Sequence, residues 1–153
     1  MIEDNSTDNP VISVYIITKN EQDNIGRALE SVRWMDEIVV VDSGSTDGTV
    51  EIAEKYGTKV QYREFKGFVE QKNFAMKLCR GEWVFNLDAD EEMTPGLRAS
   101  IEAVIRGGTD NGQFDVYKVS RKTNYMGRWM KHCGWYPEFR ARLSRNGSAQ
   151  WTG

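Results

Sequence analysis

Three short polar clusters hold most of the groups in this chain whose types and spacing could handle phosphate, a cation or a proton. They are Thr18-Lys19-Asn20-Glu21, Asp42-Ser43-Gly44-Ser45-Thr46-Asp47 and Asp88-Ala89-Asp90-Glu91-Glu92. Asp88-Ala89-Asp90 is the sharpest of them. Aspartates at i and i+2 of an extended segment point to the same side. Their hard oxygens suit Mg2+ or Mn2+, which keeps waters and takes the rest of its shell from phosphate. The competing reading is an acidic turn that caps the next helix. No lysine or arginine lies within the second or third cluster, so the acids there are expected to be neutralised by a bound cation.

In the second cluster the small residues let a ligand lie close to the backbone. The Asp42 carboxylate can accept from a ribose hydroxyl or a base N–H, with Ser43 beside it. The alternative is a tight loop in which Asp47 caps a helix. Neither a GxGxxG nor a GxxxxGK[ST] pattern is present, which argues against a dinucleotide or P-loop site. Lys72 precedes the third cluster on an amphipathic segment, where it can balance phosphate charge or simply be solvated. His132 is the only histidine; a loop histidine without special duty and a metal or acceptor contact are both open to it.

Each cluster must be held by an element, and the pattern supplies one. Val11 to Ile17, Glu37 to Asp42 and Glu82 to Leu87 are apolar, β-branched or aromatic runs that read as buried strands, and Lys59 to Arg63 reads as a shorter one. Helical spacing predicts a helix from Glu21 to Val32, with Asn20 as N-cap and Asp23 completing a capping box. Further helices carry Val50 to Tyr56, Val69 to Leu78 and, after Thr94-Pro95, Leu97 to Ile105. Strands too apolar for a wet face, separated by crossover helices, predict an α/β fold with a mainly parallel sheet covered on both faces. In such sheets ligands bind beyond the carboxyl ends of the strands, where the three clusters lie. Gln113 to Thr123 and Phe139 to Ser144 read as strands of an antiparallel C-terminal attachment, with Asn124 to Trp135 of mixed character.

The length of 153 residues fits one domain, expected over residues 11–153 with residues 1–10 as a flexible tail. No apolar run approaches the ~20 residues of a membrane span. The N-terminus lacks the basic and apolar regions of a secretory signal. Cys79 and Cys133 give neither a disulfide framework nor a zinc spacing, and a cytoplasmic location is expected. The net charge of −3 hides an asymmetry: 12 Lys+Arg against 22 Asp+Glu through Tyr117, then 8 against one, Glu138. The basic third (Arg121, Lys122, Arg128, Lys131, Arg140, Arg142 and Arg145, with Tyr125, Met126, Trp129 and Met130) suits peripheral contact with an anionic membrane. Pairing of the arginines with the acidic body is the alternative. Nucleic acid is not an expected partner, because the body would repel it.

The segments VSVYIITKNEQDNI, EIVVVDSGSTDGT and KGFVEQKNFAMKLCRGEWVFNLDADEE, in this order, resemble the family 2 glycosyltransferases of GT-A fold. The closer likeness is to the lipopolysaccharide core glucosyltransferase group, through GWYPEFRARLSRNGSAQWTG. The resemblance covers Val11 to Gly153. It implies that Thr18, Asn20 and Glu21 line the nucleotide, that Asp42 recognises the base, and that Lys72 is the basic residue near the nucleotide. It also implies that Asp88 faces the ribose and, with Asp90, the metal. The implied reaction is inverting transfer from a nucleoside diphosphate sugar, with a UDP-sugar favoured, to a glycan or lipid-linked acceptor in lipopolysaccharide or cell-surface polysaccharide synthesis. Mg2+ or Mn2+ is the implied cofactor.

Family catalytic domains continue further and carry their general base, an Asp or Glu, in that later region. The chain is therefore expected to be a C-terminally truncated form with its base beyond Gly153. Such a piece should bind donor and transfer sugar poorly. Two alternatives stand beside this reading: a nucleotidyltransferase of related α/β fold, disfavoured by the lack of glycine in the first cluster, and a non-catalytic nucleotide-binding module.

Overall fold

The computed structural model describes residues 10–107, 113–122, 124–125, 128–129 and 138–153. Strand β1 (Ile12–Thr18) is followed by α1 (Ile25–Val32), β2 (Glu37–Asp42), α2 (Thr49–Lys55), β3 (Lys59–Tyr62), α3 (Phe68–Leu78), β4 (Trp83–Asn86) and α4 (Pro95–Ile105). Then come β5 (Val116–Arg121), the two-residue strands β6 (Asn124–Tyr125) and β7 (Arg128–Trp129), and β8 (Glu138–Arg145). The main sheet has the order β3-β2-β1-β4-β8-β5. Its first four strands are parallel, and β8 runs against both β4 and β5. The antiparallel attachment therefore extends the same sheet. Strands β6 and β7, within the segment read as of mixed character, pair with each other as a separate antiparallel pair.

The alternation of side chains along the strands divides the core between the two faces. Ile12, Val14 and Ile16 of β1 pack with Ile25, Ala28, Leu29 and Val32 of α1, with Ala53 of α2 and with Ile101 of α4. Tyr15 and Val39, Val41 and Val84 of the neighbouring strands face Ala75 and Met76 of α3 instead. Cys79 is buried on that side, and burial pushes its thiol up to about 12, so it is chemically quiet. No helix among the described residues is long and apolar enough to cross a membrane.

One of the expected helix starts differs. Asn20 does not cap α1: it adopts a left-handed φ of 54° and its Oδ1 accepts from Thr46 N–H at 2.8 Å. Its acceptor is committed to the loop after β2, so α1 begins later, at Ile25. Asp47 does serve the start of α2, accepting from the N–H and hydroxyl of Thr49. Thr94 caps α4 as expected, accepting from Leu97 N–H at 3.2 Å with Pro95 in the first turn.

At the amino-terminal edge of the sheet, Gly81 lies directly on β1. A Cβ there would sit 2.6 Å from Ser13 Oγ, 2.7 Å from Ser13 N and 2.8 Å from Trp83 O. Two of these atoms are backbone and cannot yield without parting β1 from β4. Gly81→Ala is expected to cost about 3 kcal/mol, read by chemical denaturation; a loss below about 1 kcal/mol would show that the strands part more easily than this packing implies.

Candidate nucleotide-binding site

The three clusters meet at the carboxyl edge of adjacent strands β2, β1 and β4. Thr18 and Asp42 are register partners, and Ser43 N–H extends the ladder to Thr18 O at 3.0 Å. The loops after β1 and β2 are then laced by side chains. Asn20 N–H donates to Ser45 Oγ, Glu21 N–H to Thr49 Oγ1, and Gly48 N–H to Gln22 Oε1, all between 2.8 and 2.9 Å. A polar loop that would otherwise be mobile is thus fixed without burying apolar groups.

Within this frame Asp42 is almost fully buried. Its Oδ2 accepts from the N–H groups of Gly44 and Ser45 at 2.9 Å, and its Oδ1 accepts from the Ser45 hydroxyl. Gly44 adopts a φ of 87° so that the backbone can fold back on this carboxylate. With three acceptor positions occupied by its own loop, Asp42 retains one for a base or ribose. Thr18 Oγ1 is buried and has no hydrogen-bond partner. The Glu21 carboxylate turns back to Asn24, accepting from its Nδ2 at 2.9 Å. Ser43 Oγ accepts from Gln71 Nε2 at 3.0 Å, which directs the Ser43 hydroxyl proton elsewhere. Gln71 is fully buried, and its Oε1 has no partner.

The third cluster departs from expectation. Its acids are not left for a cation to neutralise. Lys72 Nζ lies 3.0 Å from Asp88 Oδ1 and 3.2 Å from Asn86 Oδ1. Arg142, from β8, reaches Asp88 Oδ2 at 3.1 Å, Glu91 Oε1 at 2.9 Å and Asn86 Oδ1 at 2.7 Å. Arg121 adds a second bridge to Glu91 at 3.2 Å. The counter-charges come from elements distant in sequence, which inspection of the loops alone could not reveal. Burial would raise the Asp88 carboxyl, but Arg142 and Lys72 outweigh it and hold Asp88 below the usual range. For Glu91 burial prevails over Arg142 and, helped by the Asp88 charge, raises the carboxyl.

Asp90 is different: it is exposed, and among the described residues its carboxylate has no hydrogen bond or ion pair. Among those residues no group of three or more His, Cys, Asp and Glu could by itself hold a metal. The donor set therefore fits a hard cation bound by one free carboxylate and completed by phosphate and water, and not a cage made by protein alone. Asp88 has one cationic donor on each oxygen and so keeps an acceptor position on each, but its charge is already offset by Lys72 and Arg142.

Lys72 is also placed by the segment after β8. Its ammonium lies 4.5 Å from the centre of the Trp151 ring. Trp151 is pinned by Asn73, whose Oδ1 accepts from Trp151 N–H at 2.8 Å while its Nδ2 donates to Trp151 O at 3.0 Å. The indole Nε1–H donates to Tyr15 Oη at 2.8 Å. Burial pushes the Tyr15 hydroxyl up to about 12, and the Trp151 bond opposes this only in part.

Four of the seven cationic side chains expected in the basic patch are paired with carboxylates, as the alternative reading had it. Arg142 is buried in the cluster just described, and Arg121 is bridged to Glu91. Arg145 pairs with Glu82 at 2.7 Å and Asp115 at 3.4 Å, and Arg140 pairs with Glu138. Lys122 also has a partner. Trp129 is exposed. Met126, Met130, Lys131, His132, Cys133, Trp135 and Tyr136, the side chains of Tyr125 and Arg128, and the tail 1–9 lie outside the described residues.

A family model of the glycosyl transferase family 2 matches residues 13–151. The chain belongs to this family. A Rickettsia conorii protein named uncharacterized glycosyltransferase RC0292 is 52% identical over 95 residues, covering 61% of this chain and 34% of that protein. The lipopolysaccharide core biosynthesis glycosyltransferase LpsC of Rhizobium meliloti is 33% identical over 121 residues, covering 76% of this chain and 44% of LpsC. The chain thus spans less than half the length of either relative.

Among solved structures, S. aureus TarS is similar at 32% identity and a TM-score of 0.58, over 69% of this chain and 20% of TarS. Mannosyltransferase PcManGT from Pyrobaculum calidifontis, in complex with GDP-Man and Mn2+, gives 26% identity and a TM-score of 0.57, over 74% of this chain and 36% of that one. The mixed, mostly parallel sheet is of the GT-A glycosyltransferase type. The nucleotidyltransferase alternative finds no support in these relatives.

Proposed function

We propose that the chain is the donor-binding part of an inverting glycosyltransferase that takes a nucleoside diphosphate sugar, UDP-linked by preference, and delivers the sugar to a glycan or lipid-linked acceptor of the cell envelope. The observation that carries this reading is the junction of a free Asp90, a clamped Asp88 and Lys72 with the loops of Thr18, Asn20 and Asp42 at one sheet edge. LpsC is named for lipopolysaccharide core biosynthesis, and a TarS structure at 30% identity and TM-score 0.52, covering 62% of this chain and 31% of that one, is a complex with UDP-GlcNAc.

In this reading Thr18, Asn20 and the remaining acceptor position of Asp42 hold the nucleoside, with Ser43 offering its hydroxyl. Lys72 meets the diphosphate, and Asp88 lies toward the ribose. Mg2+ or Mn2+ would be held by Asp90, with Asp88 beside it, and would stabilise charge on the departing diphosphate. The acceptor hydroxyl needs a base in an inverting displacement. Glu138, the one carboxylate after Asp115, is paired with Arg140. The base is assigned to no residue of this chain.

Calorimetry with UDP, GDP and UTP, each with Mn2+ or with EDTA, tests the reading. UDP is expected to bind on the order of 100-fold or more tighter with Mn2+ than with EDTA. A tighter fit for UTP would return the nucleotidyltransferase reading, and no nucleotide binding at all would overturn the proposal.

A further inference from the structure

Arg142 raises a question that the donor site alone does not answer. It comes from β8, the antiparallel strand, yet its side chain is only 8% exposed and lies at the end of β4. A buried guanidinium is costly unless paired, and an apolar residue of similar volume would serve packing at least as well. What the guanidinium adds is a fork of donors in fixed geometry. Here Nη1 takes Asn86 Oδ1 while Nη2 takes both Asp88 Oδ2 and Glu91 Oε1. These acceptors are the last residue of β4 and the two ends of the segment 88–91. That segment is closed on itself: Glu91 N–H donates to Asp88 O at 2.9 Å, and Asp88 N–H donates to Glu91 Oε2 at 3.1 Å. Asp90 stands inside the turn whose two ends Arg142 grips, and Arg121 of β5 holds Glu91 from a further side.

We propose that Arg142 is a positioning residue: by tying Asn86, Asp88 and Glu91 together it fixes the turn that presents Asp90 to the metal and diphosphate of the donor. This inference rests on the donor-site reading above. It assigns the antiparallel extension a share in the site, although that extension holds no residue expected to touch the nucleotide.

The test uses the 153-residue chain and the variants Arg142→Gln and Arg142→Lys. UDP affinity is measured with Mn2+ and with EDTA, the spectrum of bound Mn2+ is recorded by electron paramagnetic resonance, and thermal melting is followed in parallel. Arg142→Gln is expected to weaken Mn2+-dependent UDP binding by about 10- to 100-fold, the usual range when a residue that orients a metal ligand is removed. Binding in EDTA, which depends on the loops after β1 and β2, is expected to change less than about threefold. Arg142→Lys keeps the charge and loses the fork, so it is expected to remain about tenfold weakened and to alter the Mn2+ spectrum.

Full recovery by lysine would show that only charge matters and would overturn the proposal. Equal losses with Mn2+ and EDTA, with a lowered melting temperature, would make Arg142 a merely structural residue and overturn it too. If Arg142→Gln does not fold, the lysine variant decides by the same criteria. Wild-type chain that binds no UDP would overturn the donor-site reading itself, whereas wild-type binding matched by both variants would overturn only the role of Arg142.

Discussion

Asp90→Ala is expected to weaken Mn2+-dependent binding of UDP on the order of 100-fold, about 2.7 kcal/mol. The size follows from the environment of the carboxylate. Asp88 and Glu91 are already neutralised by Lys72, Arg142 and Arg121 at about 3 Å, so their oxygens are weaker ligands for a further cation than those of Asp90. Asp90 has no partner to lose among the described residues, and its removal should change stability by no more than about 0.5 kcal/mol. Affinity in EDTA should hold or rise slightly, because a negative charge near the diphosphate is gone. A variant that retains the full Mn2+ dependence would take Asp90 out of the metal site.

The second large effect is one of stability and lies at the opposite edge of the sheet. Glu37, at the start of β2, is buried. Its Oε2 accepts from Arg80 N–H at 2.7 Å and from the Ser13 hydroxyl at 2.6 Å. Its Oε1 lies 2.9 Å from Arg80 Nε and 3.2 Å from Lys59 Nζ. Burial would raise this carboxyl, but the Arg80, Ser13 and Lys59 contacts outweigh it and lower it to about 2 from an ordinary 4.5. A carboxyl lowered on folding contributes its full stabilisation above the unfolded value and loses it as pH falls from there to the folded value. Stability should therefore drop by about 3 kcal/mol between pH 4.5 and 2 on this account alone. Glu37→Gln should lose a similar amount at pH 7 and lack that part of the acid dependence, so that the two denaturation curves approach each other near pH 2. Parallel curves across that range would show that Glu37 is not the group responsible.

The parallel half of the fold was legible because its signals are local. Ile25, Ala28, Leu29 and Val32 repeat at helical spacing, and all four are buried. The runs ending in Thr18, Asp42 and Asn86 are apolar enough to leave only one place for polar loops. The candidate residues at the ends of these strands therefore gather as expected. What stayed hidden was pairing across long sequence distance. The alternation in Phe139 to Ser144 sets Arg142 and Leu143 on opposite faces, but nothing in it shows that β8 lies against β4, so Arg142 reads as a surface charge. Gln71 was missed similarly: a glutamine on an amphipathic helix gives no sign that it will be fully buried beneath Ser43. Asn20 misled for a different reason. Its type suits both a helix cap and a left-handed turn, and only the proximity of Thr46 decides between them.

The position of β8 between β4 and β5 also sets an order of events during synthesis. Pairings of β1, β2, β3 and β4 join strands that have all emerged by residue 86, and α4 completes their cover by residue 105. The free edge of β4 then waits for residues 138–145, because β5 pairs with β8 and not with β4. Until that strand arrives, Trp83 lacks the Arg145 guanidinium that lies 4.4 Å from its ring centre, and Asp88 and Glu91 lack Arg142. A nascent chain ending near residue 110 therefore carries every motif of the site together with an unpaired, aromatic strand edge, the kind of surface that invites wrong pairing between chains.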